Sequence, residues 1–188
     1  DTAANYRGGR AGRVVGEGLR KAPVDRESVV VATKGGFLPF DGERPSDPSA
    51  YVREGFVEPG IVAPDDLANG SHAMTPDFLE WSLDRSLDRL GFDAVDCFYV
   101  HNPDTQLDVR SQADVYDALE AAFEALERRR AAGAVGAYGV ATRDAFRLGQ
   151  DGAPCRPLAE VAPAAAHACR APRPRAAHRC AHAPVPRY

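Results

Sequence analysis

The sequence predicts an α/β fold built on a parallel sheet. Three observations predict it. Short continuous apolar runs alternate with segments of helical period. The order along the chain is helix, strand, long loop, helix, strand, helix, strand, which implies right-handed βαβ crossovers. The chemically capable residues fall at the carboxyl ends of the strands, the face where βα loops converge in such folds. A (β/α)8 barrel and an open doubly wound sheet both satisfy this order. The 188 residues leave room for one domain, at ~100–200 residues per domain.

Each element carries its own signature. The chain opens with Asp1-Thr-Ala-Ala-Asn-Tyr6 and a Gly- and Arg-rich turn. A helix is expected across Gly12–Lys21, with Val14, Val15 and Leu19 inward and Pro23 after its end. Ser28-Val-Val-Val-Ala-Thr33 suits a strand buried on both faces, and Lys34-Gly-Gly36 ends it. Gly35 to Met74 has five prolines and no clear period. Loops of that length are usually functional or disordered, and Phe37, Phe40, Tyr51 and Phe56 make this one too aromatic for a plain linker.

Thr75 as N-cap and Pro76 at the first helical position then start a helix. Leu79, Leu83, Leu87 and Leu90 recur at spacings of 4, 4 and 3, one helical face, and Gly91 closes it. Ala94–Val100 reads as a second strand, followed at once by His101-Asn-Pro-Asp104. Asp114 is expected to cap a third helix running to about Ala132. Val115, Leu119, Ala122, Phe123 and Leu126 mark its buried face, Arg128–Arg130 suit its carboxyl end, and Gly133 stops it. Val135–Ala141 is a third strand, ending at Thr142, and Leu158–Ala166 is expected to begin another helix.

Composition narrows the function classes. Hydrophobic residues make 44% and charged residues 27%, the balance of a soluble globular protein. No apolar run approaches the ~18 residues of a membrane helix, and no leader opens the chain, so neither membrane nor secretion is expected. A net charge of −4 argues against a nucleic-acid surface. The four cysteines are then expected in the reduced cytoplasm, with Cys97 a buried small residue. His167-Ala-Cys169 and, further on, His178-Arg-Cys180-Ala-His182 have one-residue gaps, which miss zinc-site spacing, so no metal is expected. The early glycines do not spell a dinucleotide fingerprint, and neither a P-loop nor a zinc-protease motif occurs.

The average charge hides a seam. Residues 167–188 hold five Arg and no acid, while the remainder carries −9. That Ala/Pro/Arg/His/Cys set cannot build a folded core. Its residue types have G- and C-rich codons, as an out-of-frame reading would give; a disordered basic tail is the alternative. Two domains are therefore drawn, 1–166 and 167–188.

Asp1 and Tyr6 precede the first helix, and Lys34, His101 and Thr142 each directly follow a strand. Lysine occurs only at Lys21 and Lys34, against 21 Arg. A site needing a compact, tunable ammonium keeps Lys where Arg otherwise prevails.

These residues resemble the aldo-keto reductase family. Asp1-Thr-Ala-Ala-Asn-Tyr6 is similar to its opening signature, and Val31-Ala-Thr-Lys34 to its strand-end lysine motif. Ser86-Leu-Asp-Arg-Leu90 through Asp96-Cys-Phe-Tyr-Val-His101 resembles its S-L-x-R-L…D-x-x-x-x-H stretch, and Gly133–Val140 its G-K-I-R-x-x-G-V stretch. The resemblance covers Asp1 to about Ala166. It implies a fragment of a (β/α)8 TIM barrel, from the end of strand 2 to strand 5, where a full barrel takes ~250 residues.

It also implies the catalytic tetrad Asp1, Tyr6, Lys34 and His101, with Asp1 and Thr142 on the cofactor. Carbonyl reduction needs a hydride that side chains cannot supply, hence NADP(H), and a proton donor for the developing alkoxide, Tyr6. A free phenol titrates near ~10, and a neighbouring cation, the role of Lys34, favours its ionised form. Asp1 would hold Lys34, and His101 would orient the carbonyl. Thr142 stands where many members place Ser-Asn. The long loop lies over the mouth of the site by topology and is expected to shape the pocket through residues such as Tyr51 and Phe56. The expectation is thus an NADP(H)-dependent reductase of small aldehydes or ketones, as an incomplete chain inactive by itself. A non-enzymatic, truncated or regulatory barrel fragment with a basic tail is the alternative.

Overall fold

The computed structural model describes residues 1–142. The helix expected over Leu158–Ala166, the boundary at Ala166 with the tail 167–188, and Cys155, Cys169 and Cys180 lie outside the described residues. The elements are α1 (Arg10–Lys21), β1 (Ala32–Gly35), α2 (Pro48–Val52), α3 (Pro76–Leu90), β2 (Val95–His101), α4 (Gln112–Ala131) and β3 (Val135–Ala141). The strands form one parallel sheet in the order β1-β2-β3. Helix α3 connects β1 to β2 and α4 connects β2 to β3, the βαβ alternation that the sequence order implies.

The core lies between the sheet and these helices. Leu79, Leu83 and Leu90 of α3 meet Phe98 and Val100 of β2 and Val115, Leu119, Ala122 and Leu126 of α4. Charge pairs seal the outside of the helix layer, where Arg128 and Arg129 in the last turn of α4 reach Glu80 and Asp84 of α3.

Several boundaries shift, each for a local reason. The first strand is Ala32–Gly35 rather than the run through Ser28, which sits in a 3-10 turn, Arg26–Ser28. The Val31 amide is taken by the Asp96 carboxylate at 2.7 Å, and Arg26 binds the same oxygen at 2.8 Å. This clamp lies at the amino end of the ladder, so Val30 is 68% exposed while Val31 is buried. The run is therefore not buried on both faces. Lys34 lies inside β1 and His101 is the last residue of β2, while Thr142 does follow β3.

Helix α1 starts at Arg10, and Val14 is exposed. Val15 and Leu19 pack on the core as expected, and the buried positions are Gly12 and Gly16: a Cβ on Gly16 would stand 2.0 Å from the Leu90 carbonyl oxygen of α3. Ser111, not Asp114, is the N-cap of α4. Asp114 is the other half of a capping box, its amide on the Ser111 hydroxyl and its carboxylate facing the Ser111 amide. Cys97 is half-buried, between Ala32 and Ala137 in the ladder.

The long loop folds on a core of its own. Leu38, Phe56, Val62, Ala73 and Phe78 form it, with Tyr51 and Trp81 packed alongside. The Phe56 and Trp81 rings lie 5.2 Å apart, and Tyr51 donates its hydroxyl to the Pro39 carbonyl at 3.0 Å. Phe56 and Tyr51 therefore hold the loop together. Phe37 is the loop aromatic that reaches the ring of His101. Among the described residues no helix is long and apolar enough to cross a membrane.

The two α1 glycines separate packing from propensity. Ala normally stabilises a helix interior over Gly by ~1 kcal/mol. A methyl group on Gly18 would meet nothing within 4 Å, so Gly18→Ala is expected to stabilise the protein. Gly16→Ala is expected to destabilise it by about 1–3 kcal/mol through overpacking. Urea melts of the two variants check the opposite signs. Phe56→Ala is expected to cost roughly 3–5 kcal/mol locally, read by limited proteolysis as early cleavage within residues 36–74.

Candidate active site

The carboxyl ends of the strands lie side by side, with Gly35 opposite Val100 and His101 opposite Ala141. The opening segment joins the same edge. Thr2 donates its amide to the Ala32 carbonyl at 2.9 Å, and Ala4 to that of Lys34 at 3.0 Å, so residues 2–4 run beside β1. This brings Asp1 over the side chain of Lys34.

Lys34 is buried, and its ammonium donates to Asp1 Oδ1 at 2.7 Å, Asp1 Oδ2 at 2.9 Å and the Thr2 carbonyl at 2.8 Å. An ammonium has three donors and no acceptor, so a buried one needs such a set. Burial pushes the Lys34 pKa below its ordinary value, and Tyr6 pulls it back up. The Asp1 carboxylate in direct contact also favours the charged form.

A tight turn fixes Tyr6. Its amide bonds the Ala3 carbonyl, and Arg7, Gly8 and Gly9 follow with φ of 52°, 60° and 79°. Arg89 of α3, itself buried, donates to the Ala4 carbonyl at 3.1 Å and faces Asp41 at 3.4 Å. A Cβ on Gly9 would stand 2.6–2.7 Å from that guanidinium. The Arg in Ser86-Leu-Asp-Arg-Leu90 thus clamps the turn that carries Tyr6. The Lys34 Nζ stands 5.0 Å from the Tyr6 ring centre, a cation–π approach.

On its other side the Tyr6 ring meets the His101 imidazole edge-on, with centroids 5.9 Å apart. Tyr6 is 40% exposed, whereas His101 is buried. Thr142 sits one residue past β3, and its hydroxyl donates to Asp104. The structure therefore brings Asp1, Lys34, Tyr6 and His101 into one cluster, with Thr142 at the neighbouring strand end.

Two buried polar residues had no signal in the sequence. His72 lies in the long loop and Gln106 in the 3-10 turn Pro103–Asp108, and neither has exposed surface. A lone His and a lone Gln without spacing to other polar groups look like loop residues. Only the fold brings them together, at 3.0 Å, behind His101. Among the described residues no group of three or more His, Cys, Asp or Glu could hold a metal.

Comparison with known proteins bears on the family and the fold. The aldo/keto reductase family profile matches residues 1–150. A D-threo-aldose 1-dehydrogenase of a Pseudomonas species is 34% identical over 142 residues, which is 74% of this chain and 38% of that protein. This chain thus spans well under half the length of that relative. Among solved structures, the holo form of aldo-keto reductase AKR11C1 from Bacillus halodurans superposes with a TM-score of 0.51 at 21% identity. The likeness covers 76% of this chain and 35% of that one. That likeness is one of fold: the neighbour is a (β/α)8 barrel, and the described sheet is an unclosed part of one. On the match over residues 1–150, this chain belongs to the aldo/keto reductase family.

Proposed function

We propose that the protein is an oxidoreductase that reduces aldehydes or ketones to alcohols with NADP(H). The observation that carries this reading is the buried Lys34 ammonium, gripped by Asp1 and set 5.0 Å from the ring of a half-open Tyr6. A buried cation beside a phenol favours the phenolate that proton donation leaves behind, which suits Tyr6 to the role of general acid.

The residues fit a nicotinamide cofactor. The Asp1 carboxylate grips Lys34 yet remains 63% exposed, so it can also accept a ribose hydroxyl. The Thr142 hydroxyl, half-buried at the end of β3, retains acceptor capacity for a carboxamide while it donates to Asp104. When bound, the cofactor supplies the hydride to the carbonyl carbon. Tyr6 gives its hydroxyl proton to the carbonyl oxygen as the C–H bond forms, so the product is the neutral alcohol. Lys34 stabilises the phenolate left behind. Asp1 holds Lys34 charged and in place. His101, edge-on to Tyr6, orients the carbonyl oxygen toward the donor.

The partner is a small carbonyl compound, neither a nucleic acid nor a membrane. The name of the Pseudomonas relative supports a hydroxylated, sugar-like carbonyl as the first substrate to try. On the same reading the protein works in the cytoplasm, with the cofactor pool it draws on.

Kinetics of variants in the full-length protein test the assignment. Tyr6→Phe is expected to lower turnover of a reactive aldehyde by at least ~10²-fold, with NADPH affinity by fluorescence nearly unchanged. Lys34→Met is expected to be comparably damaging. The two losses should not add in the double variant, because both act on one proton transfer. A Tyr6→Phe enzyme that keeps more than about a tenth of parental turnover, roughly 1.4 kcal/mol of barrier, removes Tyr6 as the acid.

A further inference from the structure

Directly behind His101 lies a second imidazole that the chemistry above does not use. His72 has no exposed surface. Short bridges to Phe37 and Ala68 hold its backbone in the long loop. Its Nδ1 faces the Gln106 Nε2 at 3.0 Å, and that nitrogen also points at the carbonyls of His72, at 3.0 Å, and Asp66, at 3.4 Å. With two carbonyl oxygens beside it, this end of the amide is the NH2 group, since an amide oxygen there would meet only acceptors.

The tautomer follows. Nδ1 accepts from Gln106, so the ring proton sits on Nε2, which lies 2.8 Å from the main-chain carbonyl of His101 and donates to it. Burial lowers the His72 pKa, in keeping with a neutral ring. The carbonyl it holds belongs to the last residue of β2, where the chain turns sharply through Asn102 at φ 47°. The fit is close: a Cβ on Gly36 would stand 2.7 Å from the His101 oxygen and 3.0 Å from His72 Nε2. Phe37 fills the space between the two imidazoles, edge-on to both, at 4.9 Å from His72 and 5.1 Å from His101. The His101 ring is thus set between Phe37 and Tyr6.

We propose that His72 is a positioning residue for His101: its Nε2–H holds the His101 carbonyl and, with Phe37 wedged between the rings, it sets the direction in which the His101 imidazole faces Tyr6. This rests on the reading of His101 as the group that orients the substrate carbonyl. The long loop then contributes to catalysis from behind the site, through the alignment of a residue it does not contain.

The test uses His72→Leu and His72→Gln in the full-length protein. Leu fills much of the volume without a donor, whereas Gln can place an amide N–H near the position of Nε2–H. Three quantities are read: kcat for a reactive aldehyde, NADPH affinity by fluorescence, and the imidazole resonances of His101 in histidine-labelled protein. His72→Leu is expected to lower kcat by about 10–100-fold, the scale of an ångström-level misplacement, with NADPH affinity unchanged and the His101 resonances shifted. His72→Gln is expected to recover kcat to within about threefold of the parent and to return the resonances.

If the Leu variant does not fold, His72→Asn takes its place, because its amide is too short to reach the His101 carbonyl. A donorless or short variant with parental kcat and unshifted His101 resonances overturns the proposal, and so does an equal loss in the Gln variant. If the parent reduces no carbonyl compound, the functional reading fails by itself, while the His101 resonances still decide the positioning role.

Discussion

The rest of the site depends on one buried cation. Burial strips the Lys34 ammonium of solvation and favours the neutral amine, so the charge is kept only if the chain brings acceptors to it. It does so with the segment that precedes α1. The amides of Thr2 and Ala4 bind that segment to β1, and the Asp1 carboxylate and the Thr2 carbonyl are delivered to the ammonium. Once the segment is docked, the turn at Arg7–Gly9 leaves Tyr6 few places to go, and its ring settles against the same cation. Docking the opening segment and building the candidate proton donor are one structural event.

The second layer keeps this arrangement from drifting. Arg89 reaches from the last turn of α3 to the Ala4 carbonyl, and Gly9 leaves room for its guanidinium. Helix α3 is itself seated by α1 through the close approach of Gly16 to Leu90, and Arg20 donates to the Leu90 carbonyl at 2.7 Å. On the far side, Phe37, His72 and Gln106 back the His101 ring. The helix layer and the long loop thus press on the site from opposite sides.

Much of this was legible in the sequence, for reasons tied to particular residues. The leucine spacing of α3, the Gly91 stop and the buried face of α4 are local patterns, and they hold in the structure. The placement of Lys34, His101 and Thr142 at strand ends followed from short apolar runs, to within a residue or two. What the sequence hid depends on contacts distant along the chain. The first strand starts late because Asp96, far along the chain, captures the Val31 amide. Val15 and Leu19 pack on the core as expected, but Val14 faces outward, because the closest approach of α1 to α3 is made by a glycine, Gly16. Phe56 and Tyr51 read as pocket walls because aromatic residues in a loop carry no sign of which way they face; Phe78 and Trp81 of α3 draw Phe56 into a separate core. His72 had no pattern at all, since its partners are a main-chain carbonyl and a glutamine beyond α3 and β2.

The central claim is that Lys34 is a buried ammonium kept charged by Asp1 and poised against Tyr6. Its protonation can be followed directly by NMR titration of the Lys34 side chain, in the parent and in Asp1→Asn. The account predicts an ammonium at neutral pH in the parent and proton loss at lower pH once Asp1 is neutralised, because the carboxylate 2.7 Å from the ammonium no longer favours its charged form. A neutral amine at pH 7 in the parent, or a titration that ignores Asp1→Asn, would contradict it.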